Sequence, residues 1–286
     1  MILAEVLRYL RILLFPAFFI RKSRRNTAKN VVITMTTLPS RIRNIRTTIA
    51  SLLDQSIAPE KIILNLPKYS RREQIGYAIP RYLKNHPSIL VNEIEEDLGP
   101  ATKLLPTLKL FEGSDTLIIV ADDDEIYPKG LIENYLSHAD RFPTSVMSLV
   151  GWDAPEDFKH TSKQVLYGAI GDRPKGSMKV IKPTRTDCVQ GASTFAVRPG
   201  FFTESIFLYA DAPKEAFYVD DIWVSGHLAK NQVPVYIIPA PFRFARMKVL
   251  THLVLSETLH KKENRSGENN NVLYGFFKKD WTSVKK

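Results

Sequence analysis

The sequence predicts an α/β domain in which a mostly parallel sheet carries helices on both faces, preceded by an amphipathic helix. Short apolar segments alternate with helical segments over residues 31–121, and the apolar segments lack the polar alternation of half-exposed strands. This order is typical of a parallel sheet covered by helices on both faces. The chain has 286 residues, of which 44% are hydrophobic, and this is enough to bury a substantial core.

Four strands and three helices are expected, in alternation, from residue 31 onward. Strands are predicted at the short, β-branched, apolar segments 31–36, 61–66, 89–94 and 116–121. Helices are predicted between them at 42–53, at 70–82 with a break at Pro80, and at 102–111, which contains Pro106. Residues 150–190 are expected to form strands and loops over a site. Ligands of such sheets bind beyond the carboxyl ends of the strands, which is where we look for site residues.

The first residues combine an apolar helix face with a basic end. On a helical wheel one face holds seven apolar side chains: Ile2, Leu3, Val6, Leu7, Leu10, Leu13 and Leu14. Glu5, Arg8 and Arg11 lie opposite, and a basic cluster follows at Arg21, Lys22, Arg24 and Arg25. We expect residues 1–28 to lie in the membrane interface as a peripheral attachment at the cytoplasmic face.

This segment has two alternative interpretations. The helix packs on its own domain in the first, and it forms a single transmembrane span in the second. The uncharged run covers only residues 12–20 and includes Pro16, whereas a span needs roughly 20 largely apolar residues. Peripheral attachment is therefore the favoured interpretation.

The net charge of +10 is concentrated at the two ends of the chain. Residues 1–25 hold six basic side chains and one acid, and residues 261–286 hold seven basic and three acidic side chains. A nucleic-acid binder is expected to carry a basic stripe across its fold, so this pattern argues against a nucleic-acid partner. The single cysteine, Cys188, excludes a disulfide scaffold. We expect a main domain at 29–260 and a basic polar tail at 261–286.

The most apolar strand runs directly into an acidic cluster, Asp122, Asp123, Asp124 and Glu125. Like charges at this spacing repel one another and raise one another's pKa. A divalent cation relieves that repulsion, and Mg²⁺ or Mn²⁺ prefers carboxylate oxygens and keeps positions open for phosphate. The cluster therefore predicts a Mn²⁺ or Mg²⁺ site, with a solvated acidic turn as the alternative.

Five segments, in this order, resemble the GT-A glycosyltransferases, especially bacterial family-two-like enzymes. They are VVITMTTLPSRI (31–42), DLGPATKL (97–104), IIVADDDEIYP (118–128), QGASTFAVRPGFF (190–202) and YVDDIWVSGHLA (218–229). Together they span most of residues 31–230. The resemblance implies a GT-A, Rossmann-like fold and the transfer of a sugar from a nucleotide-diphosphate donor to a hydroxyl group.

The same resemblance implies the donor and metal residues. Asp124 would ligate the metal, and Asp122 would contact the ribose, or the metal through water. The remaining donor-side residues would be Thr36, Thr37, Pro39, Arg41, Asp97, Lys103 and the middle aspartate, Asp123. Lys103 also has an independent interpretation as a cation for the diphosphate, since an ammonium is a common phosphate partner. Its alternative is a solvated helix lysine.

A second acidic pair, Asp220 and Asp221, precedes an apolar helical segment. The resemblance makes Asp221 the base that deprotonates the acceptor hydroxyl in an inverting transfer, with Asp220 orienting the acceptor or metal. Capping of the helix start is the alternative for both aspartates. On the acceptor side we expect three residues: Gly191, Ala192 and Trp152. A retaining enzyme would share every donor-side motif, so inversion is a preference.

The expected acceptor is a glycan, lipid-linked or on the growing surface polymer, because the N-terminal segment suggests a membrane. Two rival functions remain. A nucleotidyltransferase of sugar phosphates also uses a parallel sheet and carboxylate-bound metal, but the segment at 36–40 is not the glycine-rich basic loop it usually carries. A catalytically silent, membrane-bound glycan-binding scaffold is the rival outside the enzymes.

Overall fold

A computed structural model describes residues 2–21, 26–158, 165–169, 178–191, 193–209, 212–241, 245–246 and 267–284. The α-helices are α1 (Ile2–Leu14), α2 (Pro16–Arg21), α3 (Arg46–Leu53), α4 (Arg81–Lys84), α5 (Leu105–Leu110), α6 (Leu131–Ala139), α7 (Asp220–Lys230), α8 (Glu268–Phe276) and α9 (Lys278–Val284). Short 3-10 helices lie at Gly99–Lys103, Pro199–Phe201, Glu204–Phe207 and Lys214–Tyr218.

The strands are β1 (Val31–Met35), β2 (Lys61–Pro67), β3 (Tyr69–Ser70), β4 (Ile75–Gly76), β5 (Ile89–Ile94), β6 (Leu117–Val120), β7 (Glu125–Ile126), β8 (Val146–Ser148), β9 (Val150–Trp152), β10 (Val165–Tyr167), β11 (Met178–Lys179), β12 (Thr184–Thr186), β13 (Cys188–Val189), β14 (Phe195–Val197), β15 (Val235–Ile237) and β16 (Ala245–Arg246). Eight of them form the large sheet, in the order β12-β15-β8-β14-β6-β1-β2-β5. A four-stranded sheet, β11-β10-β9-β13, accompanies it.

The large sheet is mixed, so the expectation of a mostly parallel sheet is wrong. Strands β6, β1, β2 and β5 are parallel neighbours, but β14 runs antiparallel to both β6 and β8, and β12 runs antiparallel to β15. The described residues between β8 and β14 contain no α-helix. Parallel neighbours need a long crossover connection, usually a helix, whereas antiparallel strands do not.

The antiparallel direction of β14 decides which loops meet. Its first residue, Phe195, pairs with Val120 at the end of β6. The segment that enters β14 therefore lies at the same sheet edge as the segment that leaves β6. In a fully parallel sheet those two segments would lie at opposite edges, because all strands would point the same way.

Helices pack on both faces of the sheet, as the alternation predicts. Because neighbouring side chains of a strand point to opposite faces, Ile33 joins one apolar cluster and Val32 the other. The first cluster contains buried side chains of α1, α2, α3 and α6, and the second contains those of α5, α7, α8 and α9. Two separate apolar cores thus hold the sheet between them.

The predicted strands of the first half are confirmed, with each boundary within about two residues, but one predicted helix is wrong. Residues 70–82 hold the β3–β4 hairpin, in which Gln74 has a φ of 55° and the Tyr69 hydroxyl donates to the Gln74 carbonyl oxygen. A residue in the left-handed region interrupts a helix. The helix predicted at 102–111 is divided into a 3-10 turn and α5, with Pro106 in the first turn of α5, where no backbone donor is needed.

The C-terminal segment differs from the expected polar tail. Residues 267–284 form α8 and α9, and they bury Leu273, Tyr274, Phe277 and Trp281 in the second apolar core. The ring of Phe277 lies so close to α7 that a Cβ at Gly226 would come within 2.2 Å of it. These helices are therefore part of the domain's core. Residues 261–266 lie outside the described residues.

The N-terminal segment forms α1 and α2, joined at Phe15. Ile12, Phe19 and Ile20 are buried in the first apolar core, so the segment packs on its own domain. Within the ranges described, no helix combines the length and the hydrophobicity that crossing a membrane requires. Lys22, Arg24 and Arg25 of the basic cluster lie outside those ranges.

Candidate functional site

A buried lysine lies at the centre of the candidate site. The ammonium of Lys103 is 3.0 Å from Oδ1 of Asp122 and 3.0 Å from Oδ2 of Asp220, and the lysine is only 6% exposed. Burial alone would lower the pKa of Lys103, but the carboxylates of Asp122, Asp220 and Asp221 raise it well above its usual value. Lys103 is therefore a permanent cation, and the interpretation as a solvated helix lysine is wrong.

A buried polar network holds the backbone of Lys103. Its carbonyl oxygen accepts hydrogen bonds from the Thr34 hydroxyl and, at 3.3 Å, from Nδ2 of Asn65. Nδ2 of Asn65 also donates to the hydroxyl oxygens of Thr34, at 3.0 Å, and Thr107, at 2.8 Å. Strands β1 and β2 and helix α5 are thereby tied to the lysine. The sequence interpretation missed this network, although polar Thr34 and Asn65 inside apolar strands are a visible signal for it.

Asp221 lies against the segment that enters β14. The backbone N–H of Gly191 donates to Oδ1 of Asp221 at 2.7 Å. A Cβ at Gly191 would lie 2.4 Å from Nζ of Lys103 and 3.0 Å from Oδ1 of Asp221. Glycine is needed here because it lets the backbone approach both charged groups. The glycine predicted for the acceptor side thus lies beside the lysine and the proposed base.

The electrostatic surroundings favour a proton on Asp221. Burial, followed by the neighbouring charges of Asp220 and Asp122, raises its carboxyl pKa to about 8, against the opposing effects of Lys103 and the Gly191 N–H. The pKa of Asp122 is also raised, chiefly by burial, although Lys103 acts in the opposite direction. Asp221 is therefore a group that gains and loses a proton near neutral pH.

Helix α7 carries both aspartates in its first turn. The residue at its N-cap is Val219, and no side chain forms a capping hydrogen bond there. Capping is therefore not the role of either aspartate. The helix start is tied to β13 instead, because Ser225 Oγ donates to the Asp221 carbonyl oxygen at 2.6 Å and accepts from the Val189 N–H at 3.1 Å.

The middle aspartate of the acidic cluster, Asp123, is bound to the loop after β1. Its carboxylate accepts from Thr37 Oγ1 at 2.6 Å and from the Arg41 guanidinium at 3.1 Å. Its carbonyl oxygen accepts from Thr48 Oγ1 at 2.9 Å. The predicted donor residues Thr37 and Arg41 therefore do lie beside the acidic cluster. In this structure their side chains fix the position of the turn.

Three other predicted donor residues shape the neighbouring loops. Thr36 Oγ1 donates to the Asn65 carbonyl oxygen at 2.8 Å, and Pro39 is half-buried in the same loop. The carboxylate of Asp97 accepts the N–H of Gly99 and the N–H of Arg71, both at 2.8 Å. Asp97 thus organises the turn that leads into Lys103.

The remaining predicted residues are not brought together in the same way. Asp124 is half-buried in the turn between β6 and β7. Trp152 is half-buried, and its indole N–H donates to the hydroxyl of buried Tyr274 in α8 at 2.7 Å. Ala192 lies outside the described residues. The Trp152 indole is therefore bound to the C-terminal helices.

Two of the four acidic side chains of the cluster are compensated by basic side chains of the protein. Asp122 pairs with Lys103, and Asp123 pairs with Arg41. Over the described part of the chain, no group of three or more His, Cys, Asp or Glu side chains is arranged to hold a metal ion. Mn²⁺ or Mg²⁺ binding at these residues stays a prediction.

One cavity of about 740 Å³ lies elsewhere, at the opposite end of the strands. It is lined by residues of α2 and by the segments that enter β2 and β5, including Arg21, Arg46 and Tyr82. None of the predicted site residues lines it. The candidate site is therefore the carboxyl edge of the sheet, where an ammonium, two ion-paired aspartates and a carboxyl that titrates near neutral pH lie together.

Comparison with known proteins gives no family for this chain. No protein-family model and no curated protein matches it. The solved structures that are similar in shape include two of S. aureus TarS. The structure of TarS 1-349 shares 12% identity at a TM-score of 0.45, over 85% of this chain and 74% of that one. A structure titled simply S. aureus TarS shares 13% identity at a TM-score of 0.45, over 83% of this chain and 41% of that one. These values are too low for either likeness to establish a shared fold or activity.

Proposed function

We propose that this chain is a glycosyltransferase with a GT-A-like fold, which moves a sugar from a nucleotide-diphosphate donor to a hydroxyl group. The observation that carries the proposal is the buried cluster in which Lys103 contacts Asp122 and Asp220 beside Asp221. Sugar transfer needs a cation near the departing diphosphate and a base near the attacking hydroxyl. An ammonium and a carboxyl that titrates near neutral pH supply these two functions.

Asp221 is the proposed base. At a pKa of about 8 it is partly ionised at neutral pH, and its ionised form has a high proton affinity. The acceptor hydroxyl would lose its proton to Asp221 while its oxygen forms the bond to the anomeric carbon. The bond from that carbon to the diphosphate oxygen breaks on the opposite side, so the transfer inverts the anomeric configuration.

Lys103 is proposed to set the distance between the two sides of the reaction. Its ammonium contacts Asp122 on the donor side and Asp220 on the acceptor side. The donor nucleotide would lie along the loop at 36–41 and the turn at 97–103, which meet at this edge of the sheet. Asp220 would orient the acceptor next to Asp221.

Three further parts of the proposal concern partners. The acceptor is a lipid-linked or surface glycan, and the protein acts as a peripheral protein at the cytoplasmic face of a membrane. Mn²⁺ or Mg²⁺ would bind at Asp122 and Asp124. No step of the transfer is assigned to this ion, because Lys103 already compensates Asp122.

A thermal-unfolding screen of the full chain tests the donor class. The chain is mixed with a panel of nucleotide sugars, each with and without Mn²⁺. We expect one donor to raise Tm, because a ligand that binds only the folded state stabilises it by RT ln(1 + [L]/Kd). If no nucleotide sugar raises Tm at millimolar concentration, with or without the ion, the proposed function is wrong.

The base is tested by Asp221→Asn. The amide cannot take the proton, and general-base catalysis is worth about 10²- to 10⁴-fold, so transfer should slow by that factor while the donor-induced Tm shift persists. The matched control is Asp140→Asn, which alters an exposed aspartate at the end of α6 and should transfer at the wild-type rate. Full transfer by Asp221→Asn would refute the base assignment, and NMR of the product's anomeric centre tests inversion.

A substrate assay tests the first rival function, and two variants test the second. A nucleotidyltransferase would release diphosphate from a nucleoside triphosphate and a sugar phosphate, so the purified chain would consume those two substrates. A glycan-binding scaffold would keep its cellular role in both Asp122→Ala and Asp221→Asn. Loss of the cellular role in both variants favours the transferase.

A further inference from the structure

The N-terminal helix α1 attaches to the domain through its polar side. Arg8 is only 9% exposed, and its guanidinium lies 2.8 Å from Oδ2 of Asp54 and donates to the Tyr127 carbonyl oxygen at 3.0 Å. Glu5, nearly one turn earlier, accepts a hydrogen bond from the backbone N–H of Lys129 at 2.6 Å. These charged side chains of α1 therefore face the protein.

The apolar side of α1, continued by Phe15 and Phe18, faces outward. Its side chains are between 45% and 72% exposed, and we call them the outer face: Leu3, Val6, Leu7, Leu10, Leu14, Phe15 and Phe18. An amphipathic helix on a globular domain normally turns its apolar stripe toward the core. A contiguous exposed apolar surface on a folded domain marks an interaction site. The reversed orientation of α1 therefore indicates that something else covers the outer face.

The charge around the outer face selects the kind of partner. Arg11 and Arg21 are exposed beside it, and the sequence continues with Lys22, Arg24 and Arg25. A helix with apolar side chains on one side and basic residues around them inserts into the interface of an anionic bilayer. A second copy of this chain would bring the same positive charges together. Charge complementarity therefore favours a lipid surface.

The buried arginine also connects α1 to the acidic cluster. The hydroxyl of Tyr127, whose carbonyl oxygen binds Arg8, accepts from the Asp122 N–H at 2.8 Å and donates to the Asp122 carbonyl oxygen at 3.1 Å. Arg8 also donates to the Ser51 carbonyl oxygen at 3.1 Å, and Ser51 Oγ accepts from the Tyr127 N–H at 2.9 Å. One set of hydrogen bonds thus joins α1, α3 and the turn that begins at Asp122.

We propose that the outer face of α1 and α2 is a docking surface for an anionic lipid bilayer, and that Arg8 is the positioning residue that fixes this surface to the turn carrying Asp122. A membrane-bound chain would then hold the acidic cluster at a set height and orientation above the lipid. The inference rests on the membrane attachment proposed above and is independent of the proposed sugar transfer, since neither of its two readouts requires turnover.

Vesicle flotation of the full chain tests the docking surface. We expect binding to vesicles of phosphatidylcholine with phosphatidylglycerol, weaker binding to phosphatidylcholine alone, and weakening by salt. The double variant Leu7→Glu, Phe18→Glu should bind at least about tenfold more weakly, because each change removes an apolar side chain that would enter the bilayer and adds a negative charge. The matched control is Leu110→Glu, at a leucine in α5 that is 49% exposed, compared with 45% for Leu7.

Two outcomes would overturn the docking surface. The first is a failure of the wild-type chain to float with the anionic vesicles, or equal flotation of the double variant and the Leu110→Glu control. The other is a concentration-dependent dimer that the double variant abolishes, measured by light scattering after size exclusion, since the occupant would then be a second copy. The proposal is supported if the wild-type chain is monomeric and floats, and if only the double variant loses flotation.

Hydrogen exchange tests the role of Arg8. Arg8→Lys keeps a positive charge beside Asp54 but cannot reach the carbonyl oxygens of Ser51 and Tyr127 together. We expect amide exchange in residues 122–128 to accelerate about five- to tenfold, with β2 unchanged, while the variant still floats with vesicles. Tyr127→Phe leaves Arg8 intact and should accelerate exchange at Asp122 by a similar factor. Unchanged exchange at residues 122–128 in both variants would refute the positioning role.

Discussion

The large sheet has a parallel half and a mixed half, and the candidate site uses them differently. In the parallel half, formed by β5, β2, β1 and β6, the site residues are held by side-chain hydrogen bonds, as Asp123 is by Thr37 and Arg41. Beside the mixed half, formed by β14, β8, β15 and β12, Asp221 is held by the backbone N–H of Gly191 and by the Ser225 hydrogen bonds that tie α7 to β13 of the four-stranded sheet. The parallel half builds its part of the site from loops that follow parallel strands. On the side of the mixed half, the site depends on one glycine, Gly191, and one helix, α7.

Lys103 is where the two halves meet. It belongs to the parallel half by its backbone network, yet its ammonium lies equally close to Asp122 in that half and Asp220 in the other. The parallel half thus supplies one cation that compensates a carboxylate of each half. The comparison therefore teaches that the site is one electrostatic unit although the sheet is built in two ways.

The largest expected effect follows removal of that link. In Lys103→Met, the aspartates lose their buried counter-ion, and breaking a buried ion pair typically costs about 3 to 5 kcal/mol. We expect a loss of that size in the free energy of unfolding at neutral pH, measured by urea denaturation. The loss should shrink in acid, because protonated carboxyls no longer need the cation.

The matched control for this substitution is Lys109→Met. Lys109 forms ion pairs with Glu112 and Glu204, but its side chain is 57% exposed. Water and salt screen exposed ion pairs, which therefore contribute little to stability, so this variant should be nearly as stable as the wild type. Equal losses in the two variants would contradict the view that Lys103 holds the two halves together.

A smaller effect is expected from Gly191→Ala, which changes only the mixed half. The added Cβ would lie 2.4 Å from Nζ of Lys103, so the lysine or the backbone must move. Overpacking of this kind costs about 1 to 3 kcal/mol, measured by the same denaturation. Gly200→Ala is the control, because a Cβ there meets no atom within 4 Å. If Gly191→Ala is as stable as Gly200→Ala, the residues around Gly191 are less tightly packed than the 2.4 Å distance to Nζ of Lys103 implies.

The smallest expected effect is a pH dependence of α7. Burial, and secondarily Lys230, lowers the pKa of His227 from 6.5 to about 4. His227 is therefore neutral in the folded state and becomes protonated first in the unfolded state. Its contribution to stability is complete above about pH 6.5 and is lost as pH falls toward 4, with about 1 kcal/mol lost near pH 5.5.

The measurement compares wild type with His227→Leu across this pH range. The free energy of unfolding of the wild type should fall relative to that of His227→Leu as pH falls, because leucine does not titrate. Amide exchange should accelerate in α7 and α8 before it does in β1 and β2. A difference that stays constant with pH would show that His227 is not a source of acid sensitivity in the mixed half.

The first half of the chain was largely predictable because its signals are local. Continuous apolar segments mark β1, β2, β5 and β6, and the acidic cluster follows β6 directly in the sequence. The hairpin at residues 69–76 was not predictable, since it depends on a left-handed Gln74. The burial of α8 and α9 was not predictable either, because the sequence of this segment is mostly polar. Of the side chains described there, only four, Leu273, Tyr274, Phe277 and Trp281, are buried in the core that also contains α7.

Sequence alone determined which residue types carry charge at the strand ends, because hydrophobic periodicity and residue order are properties of a single segment. It also placed Asp122, Gly191 and Asp221 among the candidates. Tertiary structure alone decided that Lys103 reaches both acidic pairs, that β14 runs antiparallel to β6, and that α1 turns its apolar side outward. Each of these depends on strand order and on contacts between residues far apart in the chain, and no local pattern of side chains encodes that order.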